Sequence, residues 1–144
     1  MEHEEIEQRV ASARKLHQTQ YNCAQSVALA YKDLLPIEEE TLAQIMMPFG
    51  GGISRLREVC GCVSAMALVA SHIEPEPRAN TMLVQSLAAG FKQANGDIVC
   101  RRLLGLDGPL PNGMTKKPCT EYVACAARLL GEAMAEKAKE NVKS

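Results

Sequence analysis

Six cysteines, Cys23, Cys60, Cys62, Cys100, Cys119 and Cys125, are the residues of this chain best suited to chemistry. A cysteine thiolate is at once a nucleophile, a metal ligand and one half of a disulfide, and its reactivity follows its pKa. The spacing does not match a zinc knuckle, because no Cys-x-x-Cys occurs anywhere in the chain. Cys60-Gly61-Cys62 is the only close pair. On a continuous helix these two cysteines would point to different sides. Cys23, Cys60, Cys100 and Cys119 are separated by 36, 39 and 18 residues, so only folding can bring them together. What these four have in common is the local sequence before them. Cys23 follows Asn22, Cys100 lies three residues after Asp97, and Cys119 follows Pro118, each a residue that opens helices. The unpaired amides of a helix start stabilise a thiolate and lower its pKa below about 8.5. Cys60 joins this set if its helix begins near Glu58; if it begins at Ser54, the dipole argument weakens.

The other candidates carry less. His3, His17 and His72 are far apart with no partner at i+4, and read as surface or interface residues. Gly50-Gly51-Gly52 lacks the Lys-Ser or Lys-Thr of a phosphate loop and reads as a turn that lets backbone pass close to Cys60. Arg101 and Arg102 flank Cys100 but read as a solvated pair. The seven methionines, Met46 and Met47 among them, read as core filler.

The elements that must position the cysteines are helical. Residues 4–16 place Ile6, Val10, Ala13 and Leu16 at helical spacing. A second helix starts at Asn22 with Gln25 in the capping-box position and buries Cys23, Val27, Ala30 and Leu34. Pro36 ends it, and a third helix runs from Glu38 through Leu42, Ile45 and Met46 to Pro48 and the glycines. A fourth starts between Ser54 and Glu58 and reaches Ser71, with an interior of small residues against which another backbone can pack. A fifth covers residues 78–94, with Leu83, Leu87 and Phe91 inward and a stop at Asn95-Gly96. Asp97 caps a short sixth helix, and a loop over residues 106–117 precedes the last helix, which faces Val123, Ala127, Leu130 and Met134 inward. No repeat and no period-two strand pattern interrupts this series. The expected fold is all-α: a compact single-domain bundle of five to seven helices over residues 1–144.

Composition agrees. Of 144 residues 47% are hydrophobic but only 3% aromatic, so the core is built from Leu, Val, Ile, Met and Ala, which lets helices approach closely. A chain of this size buries roughly 70% of its unfolded surface and needs neither disulfide nor metal merely to fold. Sixteen basic and seventeen acidic residues, with no basic stretch interleaved with aromatics, speak against nucleic acid as a partner. The acidic start, Met1-Glu2-His3-Glu4-Glu5, does not resemble a signal peptide, and the apolar run over residues 62–70 is about half the length of a membrane span. A cytoplasmic location is expected, with no membrane insertion.

Several segments together resemble a known family. They are Tyr21-Asn22-Cys23-Ala24-Gln25-Ser26-Val27, Phe49-Gly50-Gly51-Gly52-Ile53, Glu58-Val59-Cys60-Gly61, Cys100-Arg101-Arg102-Leu103-Leu104-Gly105, and Cys119 before the last helix. The pattern resembles the redox-active C_GCAxxG_C_C family over residues 21–130. Members of that family have four characteristic cysteines and a CGAxxG motif, and are often encoded near transporter genes. The resemblance implies that Cys23, Cys60, Cys100 and Cys119 are the functional cysteines, leaving Cys62 and Cys125 as extras, and it suggests a functional link to a membrane transporter. The chain departs from the motif in having Cys62 where the motif has Ala and Ala65 where it has the last Gly. Cys62 could therefore add a resolving thiol that the usual pattern lacks.

Three functions fit these residues. In the first, the four cysteines meet between helices and carry out reversible dithiol–disulfide exchange with a redox partner protein or small thiol, the role of a thiol-disulfide oxidoreductase. Cys60 is the attacking thiol in this reading, because it lies beside Gly61 and the glycine turn, where access is easiest. In the second, the same four thiolates are metal ligands and hold an iron–sulfur cluster or zinc for electron transfer. In the third, the chain is a structural helical adaptor with inert thiols. Cys125, six residues after Cys119, falls on a different side of the last helix and is expected to be a packing residue. The Ala-rich faces of the fourth and last helices would suit a homodimer.

Overall fold

A computed structural model describes residues 1–143, and among them seven α-helices and no strand occur. They are α1 (His3–Thr19), α2 (Cys23–Leu29), α3 (Glu39–Met46), α4 (Gly61–Ile73), α5 (Pro77–Asn95), the single turn α6 (Cys100–Leu103) and α7 (Cys119–Lys143). Short 3-10 turns at Lys32–Leu34, Met47–Phe49 and Pro111–Gly113 link them. The fold is the all-α single domain expected, and among the described residues no helix is long and apolar enough to cross a membrane.

The scaffold is the antiparallel pair α1 and α7. Ile6, Val10 and Ala13 of α1 are buried against α7, whose Val123, Ala127 and Leu130 are fully buried. Ion pairs at both ends set the register: Arg14 reaches Glu121 at 3.0 Å and Arg128 reaches Glu7 at 3.2 Å. Exposed pairs of this kind contribute about 1 kcal/mol or less, so they specify alignment more than they stabilise it. Gly131 permits the close approach, since a Cβ there would lie 2.8 Å from Ile6 Cγ1 and 3.1 Å from the Tyr31 hydroxyl.

Helix α2 lies inside, packed on α1, α3, α4 and α7, and its Ala24, Ser26, Val27 and Ala28 are fully buried. Its start is the expected capping box: the Gln25 amide donates to Asn22 Oδ1 at 2.9 Å and the Asn22 amide to Gln25 Oε1 at 3.0 Å. The same side chains also donate outward, Gln25 Nε2 to the Ala43 carbonyl and Asn22 Nδ2 to the Met47 carbonyl, which ties α2 to the end of α3. The helix stops at Leu29, earlier than periodicity alone suggests, and Leu34 falls in the following 3-10 turn.

The largest departure from expectation is the start of α4. It begins at Gly61, not between Ser54 and Glu58. Ile53, Ser54, Arg55 and Arg57 all have left-handed φ of 46° to 64°, a conformation no right-handed helix contains. Backbone bonds hold them there: Ser54 N–H to Pro48 O, Arg57 N–H to Gly51 O and Glu58 N–H to Gly52 O. The chain then makes one isolated antiparallel bridge, Val59 to Val99, in which the Cys60 amide donates to Ile98 O at 2.8 Å and the Cys100 amide to Glu58 O at 2.6 Å. This bridge joins the entry to α4 with the entry to α6.

Side-chain packing corrects one smaller expectation. Met46 and Met66 are core residues, but Met47 and Met82 are 57% and 65% exposed. Ala65, Ala70, Ala124, Ala126 and Ala127 are buried within the chain's own core.

Tyr31 joins three layers of this core, donating to the Ala127 carbonyl at 2.6 Å with the Arg9 guanidinium 4.8 Å from its ring centre. Tyr31→Phe removes a buried donor at constant shape, and a loss of about 1 kcal/mol is expected in urea denaturation; an unchanged midpoint would show that the bond contributes nothing net.

Candidate functional site

Four helix starts meet at one place. Cys23, Cys100 and Cys119 are the first residues of α2, α6 and α7, and Cys60 is the N-cap of α4. Together with Cys62 they line a single cavity of about 170 Å³, closed on its other sides by His17, Asn22, Gly51, Arg57, Leu103, Leu104 and Tyr122. All six cysteines are free thiols. Cys125 does not line the cavity; its sulfur accepts from Asn95 Nδ2 at 3.5 Å on another side of α7. Helix starts present unpaired amides and the positive end of the backbone dipole, so their convergence favours negative charge in the cavity.

Cys62, set aside as an extra by the resemblance, belongs with the others. On a regular helix, residues two apart face different sides. Cys60 is not yet helical: as N-cap it has ψ of 134°, which turns its side chain toward the side that Cys62 faces from the first turn. Gly61 between them makes room for the third sulfur. A Cβ on Gly61 would lie 2.8 Å from Cys23 Sγ, 2.6 Å from the Phe49 carbonyl and 3.1 Å from Ala24 Cβ. The Cys23 sulfur thus rests against the backbone of the residue flanked by the other two cysteines.

These contacts divide the thiols electrostatically. The Cys23 thiol is held far below the ordinary thiol range, first by the hydrogen bond from Cys60, then by that from Cys62, with backbone bonds from Gly51 and Ala24 adding to them against the cost of burial. Cys60 moves the opposite way, because its proton is held by Cys23 and its site is buried, although Cys62 donates to it in turn. Cys62 is fully buried and is pushed up by its bonds to both neighbours and by desolvation. Cys60, expected to be the attacking thiol because access is easiest there, is 6% exposed, and its pKa is raised by its contact with Cys23 and by burial.

The remaining two cysteines lie farther round the cavity. The Arg57 guanidinium Nη1 is 3.7 Å from Cys100 Sγ. Arg101, beside Cys100 in sequence, instead donates to the carbonyls of Leu56 and Arg57, and Arg102 pairs with Asp97. Cys119 is the exposed cysteine of the five. Its helix-start position does not lower its pKa, because burial of the sulfur and the negative charges of Cys23 and Cys100 push it up. Among the described residues, no group of three or more His, Cys, Asp or Glu is arranged to hold a metal ion.

The glycines act as the sequence suggests, but on more than Cys60. The Gly51 amide is aimed at Cys23, while a Cβ on Gly52 would lie 2.7 Å from both Cys100 Cβ and the Glu58 amide nitrogen. Residues that sequence reasoning did not bring to the site are Arg57 and Tyr122, which it passed over, and His17, which it read as a surface or interface residue. His17 Nδ1 is 2.7 Å from Thr120 Oγ1, so α1 closes the cavity beside the start of α7. Tyr122 is buried beside Cys119, accepting from the Lys117 amide and donating to the Leu103 carbonyl. For none of the three was there a local sequence signal, since only packing brings them to the cysteines.

An all-helical domain with five thiols lining one cavity at converging helix starts is a class of thiol protein, and a comparison with family models names it more closely. The model described as "Putative redox-active protein (C_GCAxxG_C_C)" matches residues 21–133, and the chain belongs to that family. No curated protein matches the chain, and no solved structure does.

Two measurements probe this geometry. Alkylation of Cys23 by iodoacetamide should stay fast well below pH 8.5, because a lowered pKa leaves the thiolate present there; Cys60→Ala removes the largest stabilising bond, so the profile should move to higher pH, and Cys62→Ala should move it less. A profile in the wild type with its midpoint near 8.5 would contradict the hydrogen-bonded thiolate. Gly61→Ala places a methyl against backbone and sulfur that cannot both retreat, and should lower stability by about 1–3 kcal/mol in urea denaturation.

Proposed function

We propose that the protein is a thiol-disulfide oxidoreductase in which Cys23 is the nucleophile and Cys60 the resolving thiol. The observation that carries this reading is geometric: Cys23, Cys60, Cys62, Cys100 and Cys119 line one cavity of about 170 Å³, with the Cys23 sulfur resting against Gly61 between Cys60 and Cys62. A thiolate needs donors to persist where water is scarce. The neighbours that stabilise it are also the groups able to finish its reaction.

In the first step the Cys23 thiolate attacks one sulfur of a substrate disulfide R–S–S–R′. The Cys23–S–S–R bond forms, the old S–S bond breaks, and R′S⁻ leaves with the electron pair. Once Cys23 is bonded it no longer holds the Cys60 proton, which passes to the departing R′S⁻ to give R′SH, and the contact with Cys62 favours the Cys60 thiolate. Cys60 then attacks Cys23 Sγ, the second thiolate RS⁻ leaves, and a Cys23–Cys60 disulfide remains. Two electrons have passed from the protein to the substrate, and a small thiol or a redox partner protein returns them by the reverse exchange. Arg57 beside Cys100 and the exposed Cys119 lie on the cavity wall, where a partner's sulfur would enter. The alternative in which Cys23, Cys60, Cys100 and Cys119 hold an iron–sulfur cluster or zinc has no preformed ligand arrangement to support it among the described residues.

Reduced protein treated with oxidised glutathione should accumulate the Cys23–Cys60 disulfide, read by peptide mass mapping. Cys23→Ser should lose both that disulfide and any adduct on residue 23, whereas Cys125→Ala should leave them unchanged. Equal oxidation of Cys60 in wild type and Cys23→Ser would sink the assignment of the nucleophile.

A further inference from the structure

Cys62 is the member of the cluster that the mechanism above leaves as a bystander. It stands where the family motif has alanine, it is fully buried, and a buried thiol with no task is ordinarily a small hydrophobe. Its position says otherwise. The Cys23 sulfur lies against Gly61, with Cys60 one residue before and Cys62 one residue after. Cys60 faces the cavity because it is an extended N-cap, and Cys62 faces it from the first turn of α4. The close approach at Gly61 therefore brings Cys23 within reach of either flanking side chain. All three sulfur-bearing residues line the same cavity.

We infer that Cys62 is a second resolving cysteine, able to form a disulfide with Cys23 in place of Cys60. The inference rests on the proposed role of Cys23. When Cys23 carries a substrate thiol as Cys23–S–S–R, the Cys62 sulfur attacks Cys23 Sγ, the bond from Cys23 Sγ to the R sulfur breaks and the Cys62 proton passes to the departing sulfur, so RSH leaves and Cys23–S–S–Cys62 remains. Cys62 is oxidised, R is reduced to its thiol, and the electron count equals that of the Cys60 route. The two routes differ in access. Cys60 is reached first because it is 6% exposed at the end of the glycine turn, while Cys62 is completely enclosed. A substrate expelled by Cys62 must leave a more crowded site, so this route serves when Cys60 is blocked or already oxidised.

Oxidised glutathione is the probe, and the readout is the state of the Cys23 peptide in wild type, Cys60→Ala, Cys62→Ala and the double variant. Both substitutions to Ala keep the Cβ, and the motif itself carries Ala at position 62, so folding is expected to survive; circular dichroism of each variant checks that it has. In Cys60→Ala, Cys23 should appear mainly as the Cys23–Cys62 disulfide, and in the double variant as the stable glutathione adduct, with at least a tenfold difference in adduct fraction. If Cys60→Ala retains as much adduct as the double variant, Cys62 does not resolve and the inference is overturned while the role of Cys23 stands. If wild-type Cys23 acquires neither adduct nor disulfide under conditions that modify Cys119, both the nucleophile assignment and the inference fall.

Discussion

The contact between the Cys23 sulfur and the backbone of Gly61 is the constraint to which the rest of the site conforms. No side chain at position 61 leaves room for that sulfur, so α2 and α4 can approach closely only with glycine there. The approach buries a thiolate, and a buried thiolate is expensive unless donors surround it. Among them are the Cys60 and Cys62 thiols, which flank Gly61 on the segment that the approach brings in, the Gly51 amide of the glycine turn, and the amide of Ala24, next to Cys23 on α2 itself. Packing and electrostatics are here the same event.

The glycine turn and the left-handed stretch after it make the arrangement work. Had the helix continued from Ser54, Cys60 would sit inside it with its side chain turned away from Cys62, and only one of the two could face Cys23. The left-handed residues delay the helix, and the Val59 to Val99 bridge fixes where it resumes. Left-handed residues other than glycine cost of order 1 kcal/mol or more each. Four of them in residues 53–57 persist because backbone bonds to Pro48, Gly50, Gly51 and Gly52, and side-chain bonds from Arg101, hold the segment. Arg101 thus braces the loop that carries Arg57 to Cys100 and leaves the cysteine itself to Arg57.

Around this site the core does ordinary work. Alanine-rich faces let α2 sit between α1, α4 and α7, and that depth is what encloses the sulfurs. The helix starts of α2, α4, α6 and α7 all end at the cavity, so their backbone amides add a fixed field that favours a thiolate. Cys119 shows the limit of that field. At the first position of a long helix its pKa still rises, because desolvation and neighbouring negative sulfurs outweigh the dipole.

The sequence by itself determined the helical class, most helix boundaries and the four cysteines at helix starts, because periodicity, caps and breakers act within a few residues of one another. Asn22 with Gln25, Gly96 after α5 and Pro118 before α7 could all be read locally. Only the tertiary structure decided that Cys62 lines the cavity with the other four cysteines and that the Cys23 sulfur lies against Gly61 between Cys60 and Cys62. It also brought Arg57, Tyr122 and His17 to the cavity. Each of these depends on contacts between segments far apart in the chain: the bridge to Val99, the turn bonds that delay α4, and the approach of α2 to Gly61. A thiol's pKa is set by which groups donate to its sulfur and by how much water they exclude, and neither can be read from neighbours along the chain.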